Sequence, residues 1–219
     1  GNNERFLRCW WEIPVNRIGF GLKNRTEAAE SHMGWFPCHK GGEYHKWYGN
    51  NAFVVNWEND GAEIRSFEKN GRLASRPQNI DFYFKEGLTW SALTSGSFSM
   101  RFSPAGFISE HKGTMCFGSS TEEHLRCLGA MNSSSAQASL EALCPTLDFG
   151  EGAVGKVPIA IDDSDETVKY VRCNIAISRT DWNSFETSWG FTMHPLMRGN
   201  RVANSYGLWS TECRDRFDT

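Results

Sequence analysis

The chain has 219 residues, of which 39% are hydrophobic and 22% are charged. This composition is typical of a packed domain and excludes a disordered polyelectrolyte. No window approaches the roughly 18 consecutive apolar residues of a membrane span, and the first residues lack the basic-then-apolar order of a signal peptide. We therefore expect a cytoplasmic protein that contacts no membrane.

The net charge of -3 conceals a gradient along the chain. Residues 1–117 carry 14 Lys and Arg against 12 Asp and Glu, which gives +2, and four histidines. Residues 118–219 carry 9 against 14, which gives -5. Because a basic face supplies most of the affinity for phosphate, a polyanion should bind to the first part.

Short strands separated by turns are predicted for residues 1–117. Residues 52–57 are aromatic and β-branched, and further strands are predicted over 87–90, 97–102 and 106–108. Asn59-Asp60-Gly61 and Lys69-Asn70-Gly71 contain Asp-Gly and Asn-Gly pairs, which tolerate positive φ. We therefore expect a strand pair to flank at least one of these turns, and this part to be mainly sheet.

Helices are predicted for residues 118–219. Residues 119–123 have the Ser/Thr-then-Glu spacing of a helix start, and Leu125, Leu128 and Met131 recur at helical spacing. A second helix should run through 138–143 and end at Pro145, and a third should run through 165–177. A capped helical turn is predicted over 181–186 and a final helix over 202–217. The predicted fold is α+β, a mixed, mainly antiparallel sheet followed by a helical segment.

This sequence contains no recognisable catalytic motif. No Asn/Asp-Pro-Pro-Tyr/Phe tetrad that could hold a flipped adenine is present, and residues 148–152, the nearest glycine-rich stretch, are predicted to be a turn. Sequence motifs of hydrolases are also missing. The seven cysteines contain no C-x-x-C pair, and this pattern argues against a disulfide framework and against a zinc knuckle. We interpret the acidic run Asp162, Asp163, Asp165 and Glu166 as a solvated helix start. We assign no catalytic residue, cofactor or metal.

Glycine, aromatic and basic residues are most densely mixed in residues 40–50 (KGGEYHKWYGN). Glycines let a backbone approach a phosphate or a base edge, lysines neutralise phosphates, and Trp and Tyr offer flat surfaces that stack or wedge. The alternative is a Gly-Gly turn that leads to a strand with Trp47 in the core. The DNA-binding candidates in this stretch are Lys40, Gly41, Gly42, Lys46, Trp47, Tyr48 and Asn50.

A second candidate is residues 75–79 (SRPQN). Arg76, Gln78 and Asn79 are the side chains best shaped for bidentate contact with guanine or adenine edges, and they lie on a loop that a proline stiffens. This composition favours base reading. The alternative is a solvated loop without a ligand.

Two cations beside aromatic strands, Lys85 and Arg101, are predicted to contact phosphates, with a plain surface position as the alternative. Replacing Lys46 or Arg101 by alanine should weaken binding to all DNA sequences and lower the salt slope by about 1. Replacing Arg76 or Gln78 by alanine should instead relax the recognised sequence.

These stretches resemble part of the PglX-type adenine-specific DNA methyltransferases of BREX phage-defence systems. The resemblance follows one order along nearly the whole chain. It is carried by GNNERFLR (1–8), KGGEYHKWYGN (40–50), VVNWENDG (54–61), SRPQN (75–79), FYFKEGLTWS (82–91) and DWNSFETSWGFTMHP (181–195). Residues 144–149 (CPTLDF) depart from the Asn-Pro-Thr-Leu-Asn-Phe that we expect there.

The resemblance implies a DNA-reading segment of a longer enzyme. Residues 1–117 would form a sheet-rich target-recognition domain, and residues 118–219 a helical connector packed on it. Arg5 and Arg8, in the first matched stretch, join the DNA-binding candidates. The chain would bind double-stranded DNA, hold no cofactor and methylate nothing alone. The methyltransferase domain of the same polypeptide would bind S-adenosylmethionine, and other defence-system proteins could be partners.

Two other classes stay open. Nine tryptophans with abundant asparagine and glycine also suit a carbohydrate-binding module, although the pattern of cysteines argues for a cytosolic protein. The second open class is a nuclease-associated domain. Its sequence constellation, Pro-Asp followed by Asp/Glu-x-Lys, cannot be placed convincingly in this chain. Glycan binding without DNA binding would favour the first class, and magnesium-dependent cleavage would favour the second.

Overall fold

The computed structural model describes residues 3–94, 96–146, 148–160, 164–197 and 205–217. The strands in these residues are β1 (Leu7–Cys9), β2 (Trp35–His39), β3 (Phe53–Asn56), β4 (Glu68–Lys69), β5 (Arg72–Leu73), β6 (Gly87–Ser91), β7 (Met100–Ser103), β8 (Ile108–Ser109) and β9 (Gly113–Cys116). The α-helices are α1 (Asn3–Phe6), α2 (Arg25–Glu30), α3 (Glu58–Arg65), α4 (Thr121–Met131), α5 (Ser134–Leu143), α6 (Glu151–Val154), α7 (Asp165–Trp182) and α8 (Ser205–Phe217).

The strands form two sheets and a separate hairpin. In the first sheet, of order β1-β3-β2-β8, β3 pairs antiparallel with β1 and β2, and β8 pairs parallel with β2. The second sheet, of order β7-β6-β9, is antiparallel throughout. The hairpin is β4-β5. The predicted α+β fold, with mixed and mainly antiparallel pairing, is confirmed.

The Asn-Gly turn joins the two strands of the hairpin. Asn70 and Gly71 have φ angles of 54° and 70°, as a two-residue hairpin turn requires, so the predicted strand pair is confirmed here. The other predicted turn is different. Asn59, Asp60 and Gly61 all have positive φ within α3, so β3 leads into a helical segment and not into a partner strand.

Serine side chains cap the long helices of the second part. Ser120, Ser133 and Ser164 each accept a hydrogen bond from the backbone N–H three residues further on. The predicted helix start at residues 119–123 is confirmed, and the predicted second and third helices are found as α5 and α7. Helix α7 continues to Trp182, beyond the predicted end, and residues 181–186 therefore begin as its last turn.

Three smaller predictions have mixed outcomes. Asp148 pairs with Leu93 in an isolated bridge and α6 follows directly, so residues 148–152 are not a simple turn. Asp165 and Glu166 are exposed in the first turn of α7, whereas Asp162 and Asp163 lie outside the described residues. The last helix is confirmed over 205–217, and residues 202–204 also lie outside the described ranges.

The second sheet and the helical part share one hydrophobic core. Leu88, Trp90 and Met100 of the sheet pack with Leu125 and Leu128 of α4, and all five side chains are at most 2% exposed. Burial of this apolar surface is the main force that holds α4 on the sheet. A second core, on the first sheet, contains Phe36, Val55, Trp57, Phe84 and Ile108.

The chain beyond α7 returns to the first sheet. The Trp189 ring lies 5.1 Å from the Phe20 ring and 5.9 Å from the Phe107 ring. Trp10 Nε1 donates a hydrogen bond to the Thr187 carbonyl at 2.9 Å. Residues from the predicted connector therefore pack on both sheets. In the described ranges no helix combines the length and the apolarity needed to cross a membrane.

Candidate nucleic-acid interface

Residues 40–50, which we call the inner segment, lie between the second sheet and α7. Trp47 N donates to Met100 O at 3.0 Å, and Phe102 N donates to Trp47 O at 2.9 Å. The segment thereby extends the outer edge of β7. The half-buried Trp47 side chain packs against the core of the second sheet. This position agrees with the alternative prediction, in which Trp47 belongs to the core.

The other candidates of the inner segment contact neighbouring parts of the protein. Lys46 Nζ donates to the Asn132 carbonyl at 2.9 Å. Tyr48 is 6% exposed, and the Arg179 guanidinium lies 5.3 Å from the centre of its ring. Lys40 Nζ lies 4.4 Å from the centre of the Phe53 ring. These three side chains already contact other groups of the same chain.

The glycines of the inner segment serve close packing. Gly41 has φ of 84°, and a Cβ added to it would lie 2.7 Å from Lys112 O. Gly42 has φ of 146° and faces the amide of Asn50, which donates to Glu43 O at 2.8 Å. Both φ values are strained for other residues. The need for glycine is therefore explained without a DNA contact.

Arg101 is buried beneath the inner segment with 2% of its surface exposed. Its guanidinium donates to His45 O at 3.3 Å and to Ser91 Oγ at 3.4 Å, and its Nε has no hydrogen-bond partner among the described residues. Burial lowers the pKa of Arg101 to about 10, so the group is still charged at neutral pH. Both predictions for Arg101, a phosphate contact and a plain surface position, require an exposed side chain, which the structure contradicts because the inner segment covers this position of β7. We therefore remove Arg101 from the phosphate contacts.

The remaining predicted cations differ in exposure. The exposed Arg5 forms an ion pair with Glu63 and lies 5.3 Å from the centre of the Phe67 ring. Arg8 is half-buried and donates to Leu7 O at 3.2 Å. Lys85 is exposed, with its Nζ over the Phe82 ring at 4.9 Å.

Residues 75–79, which we call the outer loop, form one wall of a cleft of about 610 Å³. Arg76, Gln78 and Asn79 are all exposed. Gln78 Nε2 donates to Arg76 O at 3.2 Å, and Asn79 has a left-handed φ of 53° that asparagine tolerates well. The structure thus brings the three predicted base-reading side chains together at an open cleft.

The cleft has an apolar floor and a second, polar wall. Its floor includes side chains of the first sheet and its neighbours: Leu7, Cys38, Val55, Trp57 and Ile108. The polar wall contains Glu110, His111 and Thr114. Thr114 is 5% exposed, and its Oγ1 has no hydrogen-bond partner within the described part of the chain. Phe82 and Phe117 also line the cleft, with ring centres 4.9 Å apart.

The charges around the cleft are mixed. Arg76 is accompanied in the lining by two carboxylates, Glu110 and Glu151. Elsewhere in the first part, Arg17, Arg25 and Arg65 are paired with carboxylates. The excess of two positive charges in residues 1–117 is therefore not concentrated in the cleft.

Sequence analysis missed the far side of the cleft. Phe82 follows the outer loop by three residues, whereas Thr114 and Phe117 lie 35 and 38 positions beyond Asn79, and no spacing rule connects those two with the outer loop. Only the packing of β9 beside the first sheet brings them together. In the parts of the chain that the structure describes, His, Cys, Asp and Glu form no group of three or more that could hold a metal.

Comparison with known proteins places the chain beside adenine-specific methyltransferases. No family profile matches it. It is 40% identical over 227 aligned positions to the adenine-specific methyltransferase PglX of Lacticaseibacillus casei (strain Zhang), covering all of this chain and 19% of that protein. It is 38% identical over 213 positions to the adenine-specific methyltransferase BrxX of Escherichia coli O9:H4 (strain HS), covering 95% of this chain and 16% of that protein. The chain thus spans less than a fifth of these relatives, and the resemblance found in the sequence is confirmed.

Proposed function

We propose that this chain is the duplex DNA recognition module of an adenine-specific, N6-methylating DNA methyltransferase that serves restriction-modification or phage defence. The observation that carries the proposal is the outer loop, which presents Arg76, Gln78 and Asn79 together at the rim of an open cleft. Arginine matches the acceptor pair of guanine in the major groove, and asparagine and glutamine match adenine.

The outer loop is well suited to read bases because its shape is restrained. Pro77 fixes one φ angle, Asn79 holds a left-handed turn, and the Gln78 side chain bonds within the loop. A loop that is ordered before binding loses less conformational entropy when it meets DNA. Exposed Lys69 and Arg72 on the preceding hairpin could neutralise phosphates and set the register.

The chemistry would then belong to another domain of the same polypeptide. That methyltransferase domain would bind S-adenosylmethionine, extrude the target adenine and methylate it. The present module would position the duplex. Other defence-system proteins could bind the assembled enzyme.

The direct test is fluorescence anisotropy with a labelled random-sequence duplex at low salt. We expect saturable binding that weakens as salt rises. Arg76→Ala should weaken it, and the matched control is Arg172→Ala, which removes an exposed arginine from α7. Failure of the unaltered chain to bind any duplex at low ionic strength, or equal effects of the two substitutions, would contradict the proposal.

The same experiment with a glycan panel examines the carbohydrate alternative. Among the eight tryptophans whose side chains the structure describes, Trp11 alone is exposed, at 51%. A sugar-binding platform of several tryptophan rings is therefore not formed by the described residues. Saturable glycan binding without DNA binding would nevertheless replace the proposed function, and magnesium-dependent cleavage of DNA by the chain would favour a nuclease.

A further inference from the structure

We propose that the cleft beside the outer loop binds a single nucleobase that has left the base stack, and that the preferred base carries an exocyclic amino group. This inference rests on the proposed function and adds a ligand to it. The bound base would be separate from the adenine that the methyltransferase domain takes.

The shape and lining of the cleft fit a planar, largely apolar ring. A volume of about 610 Å³ lies in the range of small-molecule sites. Phe82 is 45% exposed beside the half-buried Phe117, so an aromatic surface is available at the cleft for stacking. Val55 and Ile108 supply an apolar floor below it.

The unpartnered hydroxyl of Thr114 points to a polar ligand. Thr114 is 5% exposed and lines the cleft, and its Oγ1 has no partner among the described residues. The oxygen is covered by its neighbours in the free chain, so the side chain must turn toward the cleft to bind a ligand. The edge of a base would then recover the about 1–3 kcal/mol that a buried polar group without a hydrogen bond costs. Gln78 and Asn79 offer further donors and acceptors from the opposite wall.

The charge of the lining decides which part of a nucleotide enters. Glu110 and Glu151 line the cleft together with Arg76, and two carboxylates disfavour a phosphate inside it. A neutral base avoids this repulsion. Carboxylates accept hydrogen bonds from exocyclic amino groups, which cytosine and adenine carry and thymine does not. Phosphates would therefore stay outside, near Lys69 and Arg72.

The test compares three duplexes with the same flanking sequence. One is fully paired, one carries a single bulged adenine, and one carries an abasic site in the same bulge. A bulged base needs little energy to leave the stack. We expect the chain to bind the adenine bulge at least about tenfold more tightly than the other two, a factor that corresponds to about 1.4 kcal/mol. The paired duplex must first unstack a base, and the abasic bulge offers no base to the cleft. A bulged cytosine should match adenine, and a bulged thymine should bind more weakly.

Two substitutions locate the bound base. Thr114→Val keeps the shape of the side chain and removes the hydroxyl, and Asn79→Gly removes the amide but tolerates the same positive φ. Each should reduce the preference for the adenine bulge by about threefold to tenfold. The matched control is Asn70→Gly, which removes an exposed asparagine of nearly the same φ from the hairpin turn. It should leave the preference unchanged.

The outcomes separate this inference from the proposed function. Equal affinity for the adenine bulge and the abasic bulge would overturn the inference, because only bending would then be recognised, while binding to the paired duplex would still support DNA recognition. A preference that survives both Thr114→Val and Asn79→Gly would also overturn it. Absence of binding to all three duplexes would overturn the inference and the proposed function together.

Discussion

The inner segment and the outer loop are both predicted from sequence to bind DNA, but the structure packs the first against its neighbours and exposes the second. Both mix basic and amide side chains with a backbone-directing residue, glycine in one and proline in the other. The inner segment is held by Asn132, Arg179 and Met100, whereas the outer loop exposes its three polar side chains at a cleft. Composition alone therefore does not distinguish a packed segment from a binding surface.

The difference follows from what each stretch must bury. The inner segment contains Trp47 and Tyr48, which stabilise the fold by leaving water, and its backbone completes the edge of β7. The outer loop contains Ser, Arg, Pro, Gln and Asn, so it gains little from burial. Density of aromatic residues is a better signal of packing than of binding in this chain.

The largest effect on stability is expected under the inner segment, at Arg101. Arg101→Ala should lower the free energy of unfolding by about 3 kcal/mol, because a large buried side chain leaves a cavity. Arg101→Met should cost less, since it fills the space and removes a buried charge. Denaturant unfolding followed by tryptophan fluorescence measures both. A stable Arg101→Ala variant with weakened DNA binding would restore Arg101 as a phosphate contact.

The next effect is expected where the helical part meets β7. Asn132 is 7% exposed, and its side chain accepts from Met100 N at 3.0 Å and donates to Met100 O at 2.9 Å. Asn132→Ala should cost about 2 kcal/mol because it leaves the buried Met100 N–H without this partner. Gln137→Ala, on the surface side of α5, is the control and should change stability by less than about 0.5 kcal/mol. Equal unfolding midpoints for the two variants would contradict this account of the junction.

A pH-dependent effect is expected at His39, which lies near Arg101. His39 is 3% exposed, stacks on Phe107 and shares a 2.7 Å hydrogen bond with Ser103. Burial, with a smaller effect of Arg101, lowers the pKa of His39 from 6.5 to about 3. The unfolded chain therefore binds the proton more readily, and the stabilising contribution is complete above pH 6.5 and is lost as pH falls toward 3.

The measurement is the free energy of unfolding at several pH values for the unaltered chain and for His39→Gln. Between pH 7 and pH 5 the unaltered chain should lose about 1–2 kcal/mol more than the variant, which cannot titrate at this position. Other titrating groups affect both proteins equally and cancel in the comparison. Parallel pH profiles would show that His39 titrates normally.

The smallest effect on stability is expected in the outer loop. Arg76→Ala and Gln78→Ala should each change the free energy of unfolding by less than about 0.5 kcal/mol, because both side chains are exposed. In a methyltransferase that contains this chain, the same substitutions should relax the methylated motif, as methylation-sensitive sequencing would reveal. Loop variants that unfold as easily as Arg101→Ala would remove the contrast between the two regions.

Local patterns in the sequence determined much of the architecture. A Ser/Thr-then-Glu start located α4, the pattern of apolar residues located α5 and α7, and the Asn-Gly pair located the β4-β5 hairpin, because these features depend on interactions within a few residues. The matched stretches also led to the resemblance to adenine-specific methyltransferases, which the relatives bear out.

Tertiary structure alone decided which candidates are accessible. Arg101 is buried because its strand packs under the inner segment, and Lys46 is committed because Asn132 lies beside it, 86 positions further along the chain. The cleft likewise joins the outer loop to Thr114 and Phe117. Helix caps and hairpin turns are local and can be read from neighbouring residues, whereas burial is a property of distant surfaces that meet only after folding.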